Sequence, residues 1–340
     1  MPQPRILTTT VGSYPIPDWL AALPSEQALI DATRVVIATQ ESAGIDLVCD
    51  GELYRFDVNH PETNGMIEYF IRPMSGIRKE IGLAEMMDYG RQRGMAFRTR
   101  PPGVVEGPVG PGVLNLPAAC NRAGGLAARP LKFTVTGPHM LAKTLVDHHY
   151  RDPAALALAI GAVLAEQVRH CDAAVVQLDE ANLPGSPDEW EWALAAINPV
   201  LDAVPGKAAV HLCFGNYGGQ SIQRGGWDKL LRYLNGLHVD HIVMENAHRP
   251  AEELAVFREL EAEIGMGLGV VDIKRTEVES AEAIARQIER AERIIGAGRV
   301  RYIHPDCGFW MLKRSIADAK IRALVAGRDL FEGRTATRAA

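Results

Sequence analysis

Eight short apolar runs, separated by stretches with helical periodicity, constrain this chain more than any other feature. They span 6–11, 45–48, 132–136, 174–178, 208–212, 241–244, 266–271 and 300–303. Most are apolar along their length rather than alternating, which suits parallel strands covered on both faces. The intervening stretches repeat apolar residues at helical spacing, as Leu29, Ala32, Val35 and Val36 do within 25–43. Further helices are expected over 153–171, 187–204, 228–234, 251–263 and 281–295. Eight strand–helix units predict an α/β fold, a (β/α)₈ TIM barrel forming one domain over 1–340. An open doubly wound sheet is the competitor. It calls for a glycine-rich phosphate loop after the first strand, and Gly12-Ser13-Tyr14-Pro15 stands there instead. Segment 53–130 is too long for an ordinary connection. With a helical stretch at 66–70 and a Pro/Gly-rich passage at 101–116, it reads as an insertion between strands two and three.

In a barrel, functional groups belong at the carboxyl ends of the strands. Polar residues gather there: Ser13, Glu52, Asp179, His211, Cys213, Glu245, Asp272 with Lys274, and His304 with Cys307. His211 and Cys213 are two apart, so on a strand they share a face. Glu245 ends the sixth run and Cys307 follows the eighth, so a barrel brings all four groups around one mouth. An imidazole, two thiolates and a carboxylate make a sensible zinc set. With two thiolates the metal is a weak Lewis acid, yet it can still hold an incoming thiol as a thiolate. The ligands are scattered rather than arranged as C-x-x-C. A metal-free alternative therefore stands beside this reading: a hydrogen-bonding histidine and small buried thiols, the role assigned to Cys49, Cys120 and Cys171.

Composition excludes several classes. Net charge is −6 and no basic block stands out, which argues against nucleic-acid binding. Five sparse cysteines are no disulfide scaffold and suit a reducing cytosol. The N-terminal stretch has no apolar signal core, and no run of about 18 apolar residues occurs, so a soluble cytoplasmic protein without membrane partners is expected.

Seven motifs, in order, resemble the cobalamin-independent methionine synthase family, specifically its catalytic half and short single-domain members. Thr8-Thr9-Thr10-Val11-Gly12-Ser13-Tyr14-Pro15 is similar to T-T-x-G-S-[FY]-P, and Asp50-Gly51-Glu52 to the G-E motif. Val135-Thr136-Gly137-Pro138 matches T-G-P, and Gln177-Leu178-Asp179-Glu180 resembles Q-x-D-E-P. His211-Leu212-Cys213 resembles H-x-C, Val243-Met244-Glu245 the strand-six glutamate, and His304-Pro305-Asp306-Cys307-Gly308 N-P-D-C-G. The resemblance implies a (β/α)₈ barrel, with zinc on His211, Cys213, Glu245 and Cys307. It also implies homocysteine as the thiol, its amino-acid end held by Ser13, Glu52 and Asp179.

Two departures concern the methyl donor. Where the folate enzymes carry a stacking tryptophan after T-G-P, this chain has Thr144. Where they carry a histidine that could protonate the leaving folate, it has Lys274, either a catalytic group or an ion-pair partner of a carboxylate. The expected activity is thus a zinc-dependent methyltransferase making methionine from homocysteine. The expected donor is something other than a folate polyglutamate: a methylated corrinoid, a corrinoid protein, or a small methylated thiol or sulfonium. Two alternatives keep the metal: a thiol alkyltransferase or lyase acting on an epoxide, and a non-catalytic zinc or amino-acid binding protein.

Overall fold

The computed structural model describes residues 5–55, 63–91, 98–215 and 225–334. Its strands, in chain order, are β1 (Leu7–Thr8), β2 (Ser75–Arg78), β3 (Val104–Gly110), β4 (Lys132–Thr136) and β5 (Val146–Asp147), followed by β6 (Val175–Asp179), β7 (Lys207–Leu212), β8 (His241–Met244), β9 (Gly265–Val271) and β10 (Val300–Pro305). Seven of them form one parallel sheet in the order β1-β10-β9-β8-β7-β6-β4. The eighth place is filled by Leu47 and Val48, which bridge in parallel to Thr9 and Leu131 and join the two edges. The fold is therefore of the TIM-barrel type. Every residue of β4, β6 and β9 is buried, as expected for strands covered on both faces.

The helices outside the ring follow from local chemistry. Helix Pro153–Val168 starts with the Asp152 side chain accepting from Ala154 N and proline in its first turn. Helix Ala281–Ile295 is capped by Ser280 and buries Ile284, Ile288, Ala291 and Ile295, one face at helical spacing. The α-helix expected over 251–263 is instead a 3₁₀ helix, Ala251–Glu259. Leu254, Phe257 and Leu260 are buried at intervals of three, the period at which a 3₁₀ helix brings side chains to one side.

The last helix, Arg314–Phe331, closes the ring. Arg328 reaches the Ile6 carbonyl at 3.0 Å and Asp46 at 2.6 Å, tying the first strand to the second place in the barrel. A separate sheet of order β2-β3-β5, with β2 antiparallel to β3, is formed largely between residues 75 and 110. Among the described residues no helix is long and apolar enough to cross a membrane.

Candidate active site

The carboxyl ends of the barrel strands open into a cavity of about 900 Å³. Its floor carries Ser13, Glu52, Asp179, His211, Cys213 and Cys307, six of the eight residues given a metal, substrate or catalytic role from sequence. The register aligns Asp179 with His211 across β6 and β7, so both strand ends reach the floor together.

His211 Nδ1 lies 3.0 Å from the Val243 carbonyl oxygen. A carbonyl only accepts, so Nδ1 carries the proton and Nε2 keeps its lone pair. That Nε2 is buried without a hydrogen-bond partner. The ring nitrogen and the sulfurs of Cys213 and Cys307 all lie within 4.8 Å of one another. The thiols are unequal. Hydrogen bonding with Cys213 pulls the Cys307 thiol well below its ordinary range, against the effect of burial. The same bond, together with burial, pushes Cys213 up. A buried, unpartnered imidazole nitrogen beside two thiols, one of them readily ionised, is a donor set that fits zinc.

The acidic part of the floor has its own supports. Glu52 sits at φ 60°, after Gly51 at φ 79°. Two successive left-handed residues turn the chain sharply, and a non-glycine held there is strain concentrated at a site. Its carboxylate accepts from Thr134 Oγ1 at 2.5 Å and faces Arg55 at 3.4 Å. Asp179 accepts from Gln177, which in turn accepts from the buried Lys132 ammonium at 2.7 Å. Burial, with the Glu52 charge adding to it, pushes Asp179 up to about 7. The next residue, Glu180, turns to the other side and accepts the N–H groups of His139 and Met140.

Glu245 is also buried beside the metal-type set, but its carboxylate is otherwise engaged. Oε2 accepts from Phe214 N at 3.0 Å, while Oε1 faces His248 Nε2 at 2.9 Å and Lys274 Nζ at 3.3 Å. His248 Nδ1 meets Asp306 Oδ2 at 2.9 Å, and Asp306 Oδ1 accepts from Asn246 N and Ala247 N. Hydrogen bonds to Asp306 and Glu245 push His248 up to about 9. Lys274 Nζ is thus placed against the Glu245 carboxylate, and Lys274 is not among the residues lining the cavity. His248, Asp272 and Asp306 also come together, but both imidazole nitrogens and both Asp306 oxygens are already hydrogen-bonded.

Three residues of this region were missed in the sequence. Arg55, fully buried among Tyr54, Tyr69 and Phe70, balances Glu52 three positions earlier. His248 stands three after Glu245, and Trp310 three after Cys307, half-exposed at the cavity. Spacing of three from a singled-out residue was the available signal in each case. Thr144 is fully buried at the end of helix Pro138–Thr144, donating to the Leu141 carbonyl, and does not line the cavity.

Fold and site together define a TIM-barrel enzyme with a thiol-rich metal-type centre at its mouth. Comparison with known proteins gives the family. The family described as "Cobalamin-independent synthase, Catalytic domain" matches residues 6–328. A methionine synthase of Thermococcus kodakarensis is 29% identical over 97% of this chain and 94% of its own. One of Sulfurisphaera tokodaii is 26% identical over 96% and 93%. The B12-independent methionine synthase of Shewanella sp. W3-18-1, solved with selenomethionine, superposes with a TM-score of 0.79 at 24% identity, covering 97% of this chain and 98% of that one. The chain belongs to the cobalamin-independent synthase family, and it is a methyltransferase of the methionine synthase type.

Proposed function

We propose that this protein methylates the thiol of homocysteine to give methionine. Zinc would be held by His211, Cys213 and Cys307, with Glu245 as an exchangeable fourth ligand. The observation that carries the reading is the meeting of the free His211 nitrogen and two sulfurs on one cavity floor with Glu52 and Asp179. Bound zinc would supply one thing, the stabilisation of a substrate thiol as its thiolate at neutral pH. Glu52 and Asp179 take the substrate ammonium, and the loop at Ser13 borders its carboxylate. So anchored, the sulfur points up into the cavity. A new S–C bond forms to the methyl carbon as the bond from methyl to donor breaks, and the donor leaves with the electron pair.

The donor belongs to the outer cavity. We read the insertion 53–130, of which 56–62 and 92–97 lie outside the described residues, as bordering it through Arg72, Lys79, Arg98 and Arg100. With Thr144 sealed from the cavity and Lys274 turned to Glu245, neither position supplies the stacking or protonation a folate polyglutamate would use. A corrinoid has no support in a family described as cobalamin-independent. The names of the curated relatives support homocysteine as acceptor. The test is a panel of methyl donors, including folate mono- and polyglutamates, methylated thiols and sulfonium compounds, with homocysteine and zinc-loaded protein. Methionine formed only in the presence of zinc is expected. No turnover with any methyl donor, or thiol addition to an epoxide instead, overturns the reading.

A further inference from the structure

Glu245 follows Met244, which pairs with Leu212 in the register of β7 and β8. That places Glu245 beside Cys213 across the sheet, with its own N–H directed at the Leu212 carbonyl. It could reach the metal-type set, yet it is held elsewhere. We infer that His248 and Lys274 form a latch that keeps the Glu245 carboxylate from competing with the substrate thiol for the metal. This rests on the metal set proposed above.

The latch is a closed figure of hydrogen bonds. His248 and Lys274 both engage Oε1, at 2.9 and 3.3 Å, and the Phe214 N–H engages Oε2 at 3.0 Å. His248 cannot swing away freely, because Asp306 holds its other nitrogen at 2.9 Å. Asp306 is itself pinned by Asn246 N and Ala247 N, each at 2.8 Å, on the same turn that carries His248. The brace therefore starts and ends on one short segment, and it presents the imidazole edge to Glu245.

The energetics favour such a store. Glu245 is fully buried, and a buried carboxylate needs compensating charge wherever it sits. Between an imidazole and an ammonium its charge is compensated without the metal. Lys274 and His248 are positioning residues in this scheme. They act through Glu245 and do not line the cavity.

The test uses the full chain and two separate variants, Lys274→Met and His248→Gln, so that a folding failure in one leaves the other. Zinc affinity is measured by chelator competition, and homocysteine binding to zinc-loaded protein by calorimetry. Each variant is expected to bind zinc about tenfold tighter and homocysteine about tenfold more weakly, the worth of one charge-assisted hydrogen bond released to compete. Adding Glu245→Gln to either variant restores homocysteine binding, because an amide is a poor ligand and needs no cation. Unchanged zinc and thiol affinity in both variants, or weak thiol binding that Glu245→Gln fails to restore, overturns the latch. Wild-type protein that binds no zinc overturns the metal set itself, a different result from either.

Discussion

Cys213 and Cys307 are separated by 94 residues in the chain, yet their sulfurs lie 4.0 Å apart. One directly follows β7 and the other comes shortly after β10, and only closure of the ring brings those two ends to the same floor. Replacing Cys307 with serine keeps the shape and removes a soft ligand. Zinc affinity is expected to fall by more than about a hundredfold, the upper range for losing a residue that merely orients a ligand. Chelator competition measures it, and full affinity in Cys307→Ser would remove that residue from the site.

Asp179 gives the site a pH dependence that can be read without metal. Burial, reinforced by Glu52, pushes its carboxyl up to about 7 in the free protein. An arriving ammonium reverses the balance and favours the ionised form. Binding therefore releases a proton below about pH 7, and affinity rises as pH increases through that value. Methionine titrated into metal-free protein at pH 6 to 8, in buffers of different ionisation enthalpy, should show this release. Asp179→Asn should flatten the dependence; a flat profile in the wild type would contradict the assignment.

The barrel was legible because its strands are periodic at the level of whole units. β4 and β8 fall on the expected residues, as does helix Ala281–Ile295. The second run contributes only two bridged residues, Leu47 and Val48, because its neighbours meet it at single points. Polar residues at strand ends were legible for the same reason: a parallel strand has few other places to carry them. Partnership was not legible. Whether Lys274 faces substrate, Asp272 or Glu245 depends on how the loops after β8 and β9 pack, which no local pattern encodes. Arg55 and His248 escaped because each is defined by its carboxylate partner, and that partner is fixed only by the folded chain.

Closure of the ring should be measurable as stability. Burial alone would push Asp46 up, but the Thr8 N–H and Arg328 outweigh it and hold the carboxyl below its ordinary range. A depressed carboxyl contributes stability above its unfolded value of about 3.9 and loses it as pH falls through the folded one. Arg328→Met should therefore destabilise by about 3 kcal/mol at neutral pH, because a nearly buried carboxylate loses its main cation. The difference from wild type should shrink below the ordinary carboxylate range. Urea denaturation at neutral and acid pH tests both parts, and an equal gap at the two would refute the ion-pair account.

Gly12 offers a way to disturb the ammonium seat while leaving the barrel intact. A Cβ built there runs into the Glu52 carboxylate, the far end of a flexible side chain, with Thr134 Cγ2 at 3.1 Å behind it. In Gly12→Ala the carboxylate is what yields, leaving Thr134 Oγ1 and Arg55. Affinity for homocysteine and methionine should drop about tenfold, the worth of one charge-assisted hydrogen bond. Zinc affinity should stay at the wild-type value, since the nearest neighbours of the added Cβ are Glu52 and Thr134, neither of them in the metal-type set. Calorimetry for the amino acids and chelator competition for zinc separate the two effects. Parallel loss of both would mean that the variant disturbs the whole floor and that Glu52 has no distinct role in holding the ammonium.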